Sequence, residues 1–211
     1  MSSHRRLPLG YHVAAAVMVL RAAIYFLVRF RLPQRVAMDR GARIRGIHNI
    51  TFQGWCKIGA YALVDARHCR QVVLGRGFSL GDHSIFRCSG APSFLCPGVT
   101  IGADVTFGPF CNIGGGYGLS IDDNNIFGPY VSIHPETHVI ADLDRPIRQQ
   151  GVTGKGIVIG ADNWFAAKAT ILDATTIGSG NVIAAGAVVI AGEYGSRQIL
   201  GGVPARKLGE R

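Results

Sequence analysis

His134 and His138 bracket Glu136 and lead into a polar stretch, residues 137–156, that reads THVIADLDRPIRQQGVTGKG. An imidazole of ordinary pKa, about 6.5, is mostly neutral at pH 7 and can take a proton from a hydroxyl or amine within reach. Glu136 or Asp142 can hold the second ring nitrogen and so set the tautomer. The sequence shows no Ser-His-Asp arrangement, so the chemistry expected is direct proton abstraction rather than a covalent intermediate. The same histidines open a second route, a zinc site with His83 as third ligand. Such a site needs three well-placed donors, and the local pattern supplies two. Lys168, Arg206 and Lys207 are cations suited to phosphate. The five cysteines, Cys56, Cys69, Cys88, Cys96 and Cys111, are odd in number and have no CxxC spacing. They read as reduced thiols filling apolar space in a cytoplasmic protein, with neither a disulfide framework nor a structural metal site expected.

The balance of charge narrows the partners. At 211 residues with a formal charge of +9, the chain favours a polyanion: nucleic acid, acidic lipid or a phosphate-bearing cofactor. Basic and aromatic residues do not interleave, so no nucleic-acid partner is expected.

These side chains need a frame, and residues 159–189 supply its rhythm. Ile159, Phe165, Ile171, Ile177, Ile183 and Val189 recur every sixth position. Neither a 3.6-residue helix nor a simple alternating strand produces that spacing. A coil with one short strand on each flat side does, and it must stack on copies of itself to bury its apolar residues. Looser hexads precede it at Ile44 and Ile50, at Phe52, Ile58 and Val64, and at Leu74, Leu80 and Phe86. The beat tightens at Leu95, Ile101, Phe107 and Ile113, then resumes at Ile121, Phe127 and Ile133. It fails across residues 137–156, which are expected to project as a functional loop. The tail, ending Gly-Gly-Val-Pro-Ala-Arg-Lys at Lys207, also leaves the rhythm and is expected to cover the last coil.

Ahead of the hexads lies an apolar stretch, residues 11–30, broken by Arg21 and Arg29. Arg21 splits the run, and no small-residue cleavage site follows, which argues against a signal peptide. A spanning helix would put Arg21 near mid-bilayer at a cost of about 2.5–3.5 kcal/mol. The expectation is therefore a helix, ended by Pro33, that caps the stack or lies on an anionic membrane surface. The domain reading is a helical, membrane-proximal segment over 1–35 and a repeat domain over 36–211, with a loop at 138–156 and a C-terminal tail. Its place is the cytoplasm, with peripheral contact at the inner membrane face as a second expectation.

Hexads, a histidine opening a loop, and the closing Gly-Val-Pro-Ala-Arg-Lys together resemble the hexapeptide-repeat acyltransferases. Within them the chain is similar to the maltose/galactoside O-acetyltransferase branch, close to the exopolysaccharide and colanic acid enzymes, over roughly residues 44–208. The resemblance implies a mostly β fold, a left-handed parallel β-helix with a short N-terminal helix and an extended loop. It also implies a homotrimer with acetyl-CoA in clefts between subunits, no metal, and a sugar or lipid-linked saccharide as acceptor. Thr137-His138 falls at the family's spacing from Ile121-Asp122, which marks His138 as the catalytic base. Asp142, Pro146-Ile147 and Gln150-Gly151 match the exopolysaccharide pattern, so Asp142 joins the catalytic set and Gln150 the acceptor set, with His134 as a neighbouring choice. The family's acceptor-side asparagine falls by count near Phe110; Asn112 is the nearest candidate. Trp164 matches a tryptophan beside the coenzyme groove. Ala166-Ala167 and Ala184-Ala185 form a small-residue stripe for the pantetheine arm, and Lys168, Arg206 and Lys207 are its phosphate candidates. A zinc enzyme of γ-carbonic-anhydrase type and a non-catalytic scaffold remain the alternatives.

Overall fold

The computed structural model describes residues 9–29, 32, 34–89 and 94–211. The expected helix stop at Pro33 lies outside the described residues. Short parallel strands make three walls. The first runs Val36–Met38, Cys56–Ile58, Ser79–Leu80, Thr106–Phe107, Ile126–Phe127, Trp164–Phe165, Val182–Ile183 and Gln198–Gly201. The second runs from Arg43–Arg45 through Asn112–Gly114 and Ser132–His134 to Val188–Val189, and the third from Ile50–Phe52 to Gly192–Tyr194. Each strand is only two to four residues long because the chain must turn a corner after every hexad.

The hexad residues are the core. Ile159, Phe165, Ile171, Ile177, Ile183 and Val189 are all buried, and alternate residues of the same strands face out. Phe107, Phe127 and Phe165 stack through the middle with ring centroids 4.3 and 4.4 Å apart. Leu95 departs from the expected beat: it is exposed, and Cys96, one residue later, takes the interior place. A one-residue slip in an extended segment reverses which side chains face inward, and here the slip accompanies an isolated bridge between Cys69 and Cys96.

Corners are tight. At one of them Tyr61, His83, Phe110, Tyr130 and Lys168 all adopt left-handed backbone (φ 56, 57, 59, 60 and 62°). The first four rings stack outside the coil at 5.3, 5.2 and 5.0 Å. Gly108 shows why small residues recur: a Cβ there would meet Gly128 C and Pro129 N of the next coil at 2.9 Å.

A second ladder lies buried. Asn163 Nδ2 donates to Asn125 Oδ1 (3.0 Å), and Asn181 N–H donates to Asn163 Oδ1 (2.7 Å). Gln198 N–H continues the series onto Asn181 Oδ1 (2.8 Å). Asn163 and Asn181 lie 18 residues apart, one coil, whereas Asn125 and Asn163 lie 38 apart because the loop intervenes.

Helix α1 (Leu9–Leu27) packs on the first coil through buried Ala22 and Phe26. Tyr25 Oη donates to Ile44 O (2.8 Å) and accepts from Ile44 N–H (3.0 Å). Arg21 reaches Met38 O and Asp39, each at 3.3 Å. Its other face leaves Val13, Val17, Leu20, Ile24 and Leu27 exposed. No helix among the described residues is long and apolar enough to cross a membrane. At the far end, strand Arg206–Glu210 turns back antiparallel on Gln198–Gly201, closing the first wall's edge.

Candidate active site

The loop is an ordered arm. Thr137–His138 pairs antiparallel with Val152–Thr153, and Val139 N–H donates to Gly151 O (3.1 Å). At the return, Asp173 Oδ1 accepts from Lys155 N–H and Gly156 N–H, both at 2.8 Å. Tyr117 Oη donates to Val152 O (2.8 Å) and braces the arm against the third wall. His138 therefore sits on fixed backbone, while its ring is exposed and makes no side-chain hydrogen bond among the described residues. An imidazole so placed is open to an incoming molecule.

Two residues expected at the chemistry bond within the arm itself. The Asp142 carboxylate accepts from Asp144 N–H (3.1 Å) and faces Arg145 Nε (3.9 Å). Gln150, expected to meet an acceptor, instead buckles the loop. Its Nε2 donates to Asp142 O and Arg145 O (2.7 and 2.8 Å), and its Oε1 accepts from Asp142 N–H (3.1 Å). It lies on the short helix α2 (Ile147–Gln150), whose last turn aims the amide back across the loop.

His134 and Asn112 come together. Both line a cavity of about 260 Å³ with Arg87, Glu136, Gly114 and Gly116. The strand register explains the hollow: Asn112 pairs with Ser132, and Gly114 pairs with Arg87, so a residue without a side chain separates Arg87 from His134. Phe110, the position nearest the family asparagine by count, is turned outward into the aromatic stack. Asn112, two residues on, lies on the outward face of its strand and borders the cavity.

The alanine stripe forms as its spacing predicts. Ala166 N–H donates to Ile183 O and Ala184 N–H to Leu200 O, each at 2.8 Å, so the two corners lie on successive coils. Gly186 N–H bonds Ala167 O (2.9 Å), locking one corner on the other. The N–H groups of Ala167 and Ala185 have no partner among the described residues, and both alanines reach the surface. Trp164 stands beside them, half-exposed, on the strand paired with Val182. Lys168 is exposed at the same corner and Arg206 at the start of the closing strand. Lys207 is already paired with Glu210, which weakens its claim on a phosphate.

The asparagine ladder and buried Asp65 were not singled out by sequence reasoning. Asp65 accepts two bonds from the Arg67 guanidinium (2.9 and 2.8 Å) and one from Arg67 N–H (3.2 Å), which hold its carboxyl below the usual range. The recurring Asn two positions before a hexad's apolar residue, Asn163 before Phe165 and Asn181 before Ile183, was the available signal for the ladder.

No family model matches the chain. Over 141 residues it is 28% identical to the Mycobacterium tuberculosis protein named "Probable acetyltransferase Rv3034c", covering 67% of this chain and 45% of that one. It is 32% identical over 114 residues to the carnitine operon protein CaiE of a Proteus species, covering 51% of this chain and 56% of the relative. The chain thus spans about half the length of the curated relatives it matches. Among solved structures it superposes on AntD, an N-acyltransferase from Bacillus cereus in complex with dTDP and 3-hydroxybutyryl-CoA, at TM-score 0.52 and 19% identity, covering 84% of this chain and 81% of that one. It also superposes on a hexapeptide transferase family protein from Anaplasma phagocytophilum at TM-score 0.50 and 15% identity, covering 83% and 79%. The fold is that of the hexapeptide-repeat β-helix.

Proposed function

We propose that this protein is an acetyl-CoA-dependent O-acetyltransferase acting on a sugar or polysaccharide precursor, in the branch that holds the exopolysaccharide enzymes. The observation that carries the reading is the pair of surface alanine corners with unpartnered N–H groups one coil apart, beside Trp164. A narrow, small-residue surface with free donors suits the amide-bearing arm of coenzyme A. The name of the mycobacterial relative and the acyl-coenzyme A bound by AntD support it. On this reading the coil is left-handed and the working form is a homotrimer, in which a neighbouring subunit completes the cleft over the exposed His138 ring.

The chemistry is direct transfer. His138 takes the proton from the acceptor hydroxyl as its oxygen attacks the thioester carbonyl. A backbone N–H receives the developing oxyanion. Collapse expels the CoA thiolate, and the imidazolium returns its proton to the sulfur. Asn112 and the cavity it shares with His134 hold the acceptor. The nucleotide bound by AntD supports a sugar carried on a phosphate, for which Arg87 offers a cation.

The test is acetyl-CoA turnover with a panel of free, nucleotide-linked and amino sugars, using wild type, His138→Ala and His134→Ala. His138→Ala is expected to lower kcat by about 10²–10⁴-fold with coenzyme affinity unchanged. Equal rates in wild type and His138→Ala would remove the assignment. A second reading, with His134 as base, is favoured by its shared cavity with Glu136; it predicts the larger loss in His134→Ala.

The exposed face of α1 is proposed to rest on an anionic membrane at its cytoplasmic side, with Arg29 at the headgroups. Leu20→Glu with Ile24→Glu spares the buried Ala22 and Phe26 and should abolish sedimentation with anionic vesicles. If wild type never sediments with them, the contact does not exist.

A further inference from the structure

Three of the five cysteines, scattered in sequence, converge. The Sγ atoms of Cys69, Cys88 and Cys96 all lie within 4.8 Å of one another, and all three residues are buried. Cys69 and Cys96 are lateral neighbours on successive coils, joined by the isolated bridge, with their sulfurs 3.2 Å apart. Cys88 comes from the adjacent corner, where its N–H donates to Asp65 O (3.0 Å). Gly115 packs against it: a Cβ there would come within 2.7 Å of Val99 Cγ2 and 3.2 Å of Cys88 Cα, so only glycine fits beside the cluster. Backbone carbonyls surround the cluster, Gln71 O at 3.2 Å from Cys69 Sγ and Gly115 O at 3.0 Å from Cys96 Sγ.

We propose that Cys69, Cys88 and Cys96 form a three-thiolate site for a soft d¹⁰ metal ion, with copper(I) the better fit and zinc(II) the alternative. Metal–sulfur bonds of about 2.3 Å put the sulfurs of a three-coordinate site about 4 Å apart, a spacing the cluster reaches with small side-chain rotations. Thiolates select copper(I) and zinc. Structural zinc takes four ligands, and among the described residues no fourth His, Cys, Asp or Glu joins the group. A disulfide would use two sulfurs and leave the third stranded. Metal binding exchanges the thiol protons for the ion, with no redox step. The ion would clamp two coils where the hexad register slips, independently of the acetyl-transfer reading.

The experiment uses the reduced full chain, stripped of metal and titrated without oxygen against copper(I), zinc(II) and cadmium(II) in separate arms. Expected are one equivalent bound, a thiolate-to-metal charge-transfer band with cadmium, and protection of three of the five cysteines from alkylation. Cys88→Ser should lower affinity at least 100-fold, whereas Cys111→Ser, outside the cluster, should leave it unchanged. The alkylation arm uses wild type alone, so it stands even where a variant folds poorly. No charge-transfer band and unprotected thiols in all three arms would overturn the site. So would equal affinity in Cys88→Ser, or a Cys69–Cys96 disulfide as the stable form of the purified protein.

Discussion

Replacing Asn163 with leucine tests whether the buried ladder holds the coils that carry the proposed coenzyme groove. The two side chains match in branching and heavy-atom count and leucine is the larger, so no cavity opens; the main perturbation is the loss of three hydrogen bonds, with any overpacking adding to the cost. Two of the partners keep another bond. Gly160 O still accepts from Asn125 Nδ2 (2.8 Å), and Asn125 Oδ1 still accepts from the backbone N–H of residue 163 (3.0 Å). Asn181 N–H keeps nothing, and it lies where water does not reach, since Asn163 is 2% and Asn181 0% exposed. An orphaned buried donor costs about 1–3 kcal/mol, and the two lost but compensated bonds add up to about 1 kcal/mol each. The sum is a loss of about 3 kcal/mol, or a fall of about 6–12 °C in Tm for a chain of this size. Urea unfolding followed by circular dichroism should show a lower midpoint with an unchanged slope. Trp164 and the Ala166–Lys168 corner follow Asn163 directly, so coenzyme affinity should weaken alongside. A loss below about 0.5 kcal/mol, the level of an ordinary surface substitution, would show that the ladder bonds contribute nothing net.

Ala185→Trp fills the proposed groove from an exposed corner; coenzyme affinity by calorimetry should fall at least about tenfold while Tm changes little. Gln150→Ala removes the loop's internal tie and should raise amide hydrogen exchange across residues 140–150, with the hairpin base at Asp173 still protected. Asp65→Asn gives a pH test. Because Arg67 lowers the folded carboxyl's pKa, its contribution is fully present above the unfolded value of about 3.9 and disappears as pH falls through the folded value. The stability gap between wild type and Asp65→Asn should stay constant from neutral pH to about pH 5 and close below about pH 4.

Periodicity carried the coil. Six apolar residues on a strict beat leave one inward side chain per wall, and from Ile159 to Val189 all six are buried; beyond Val189 the register slips by one, so that Ile183 pairs with Leu200. The polar break after Ile133 likewise marks the arm, since a chain that stops supplying inward apolar residues must leave the stack. Leu95 departs from the beat because a slip of one position exchanges inside for outside, and Cys96 takes the buried place. The role of Gln150 was hidden for a different reason: an amide that bonds its own loop and one that bonds a ligand look alike in a string of letters.

What spacing along the chain can specify is anything that repeats with the coil: the core, the stacked alanines, the asparagine column. Convergence across corners follows no such count. Cys69, Cys88 and Cys96 show no ligand spacing in sequence, yet the walls bring their sulfurs within 4.8 Å. Asn112 and His134 share a cavity because Gly114 leaves a gap beside them. Distances between neighbouring coils are set by backbone hydrogen bonds, and which side chains meet there is decided only when the coils close.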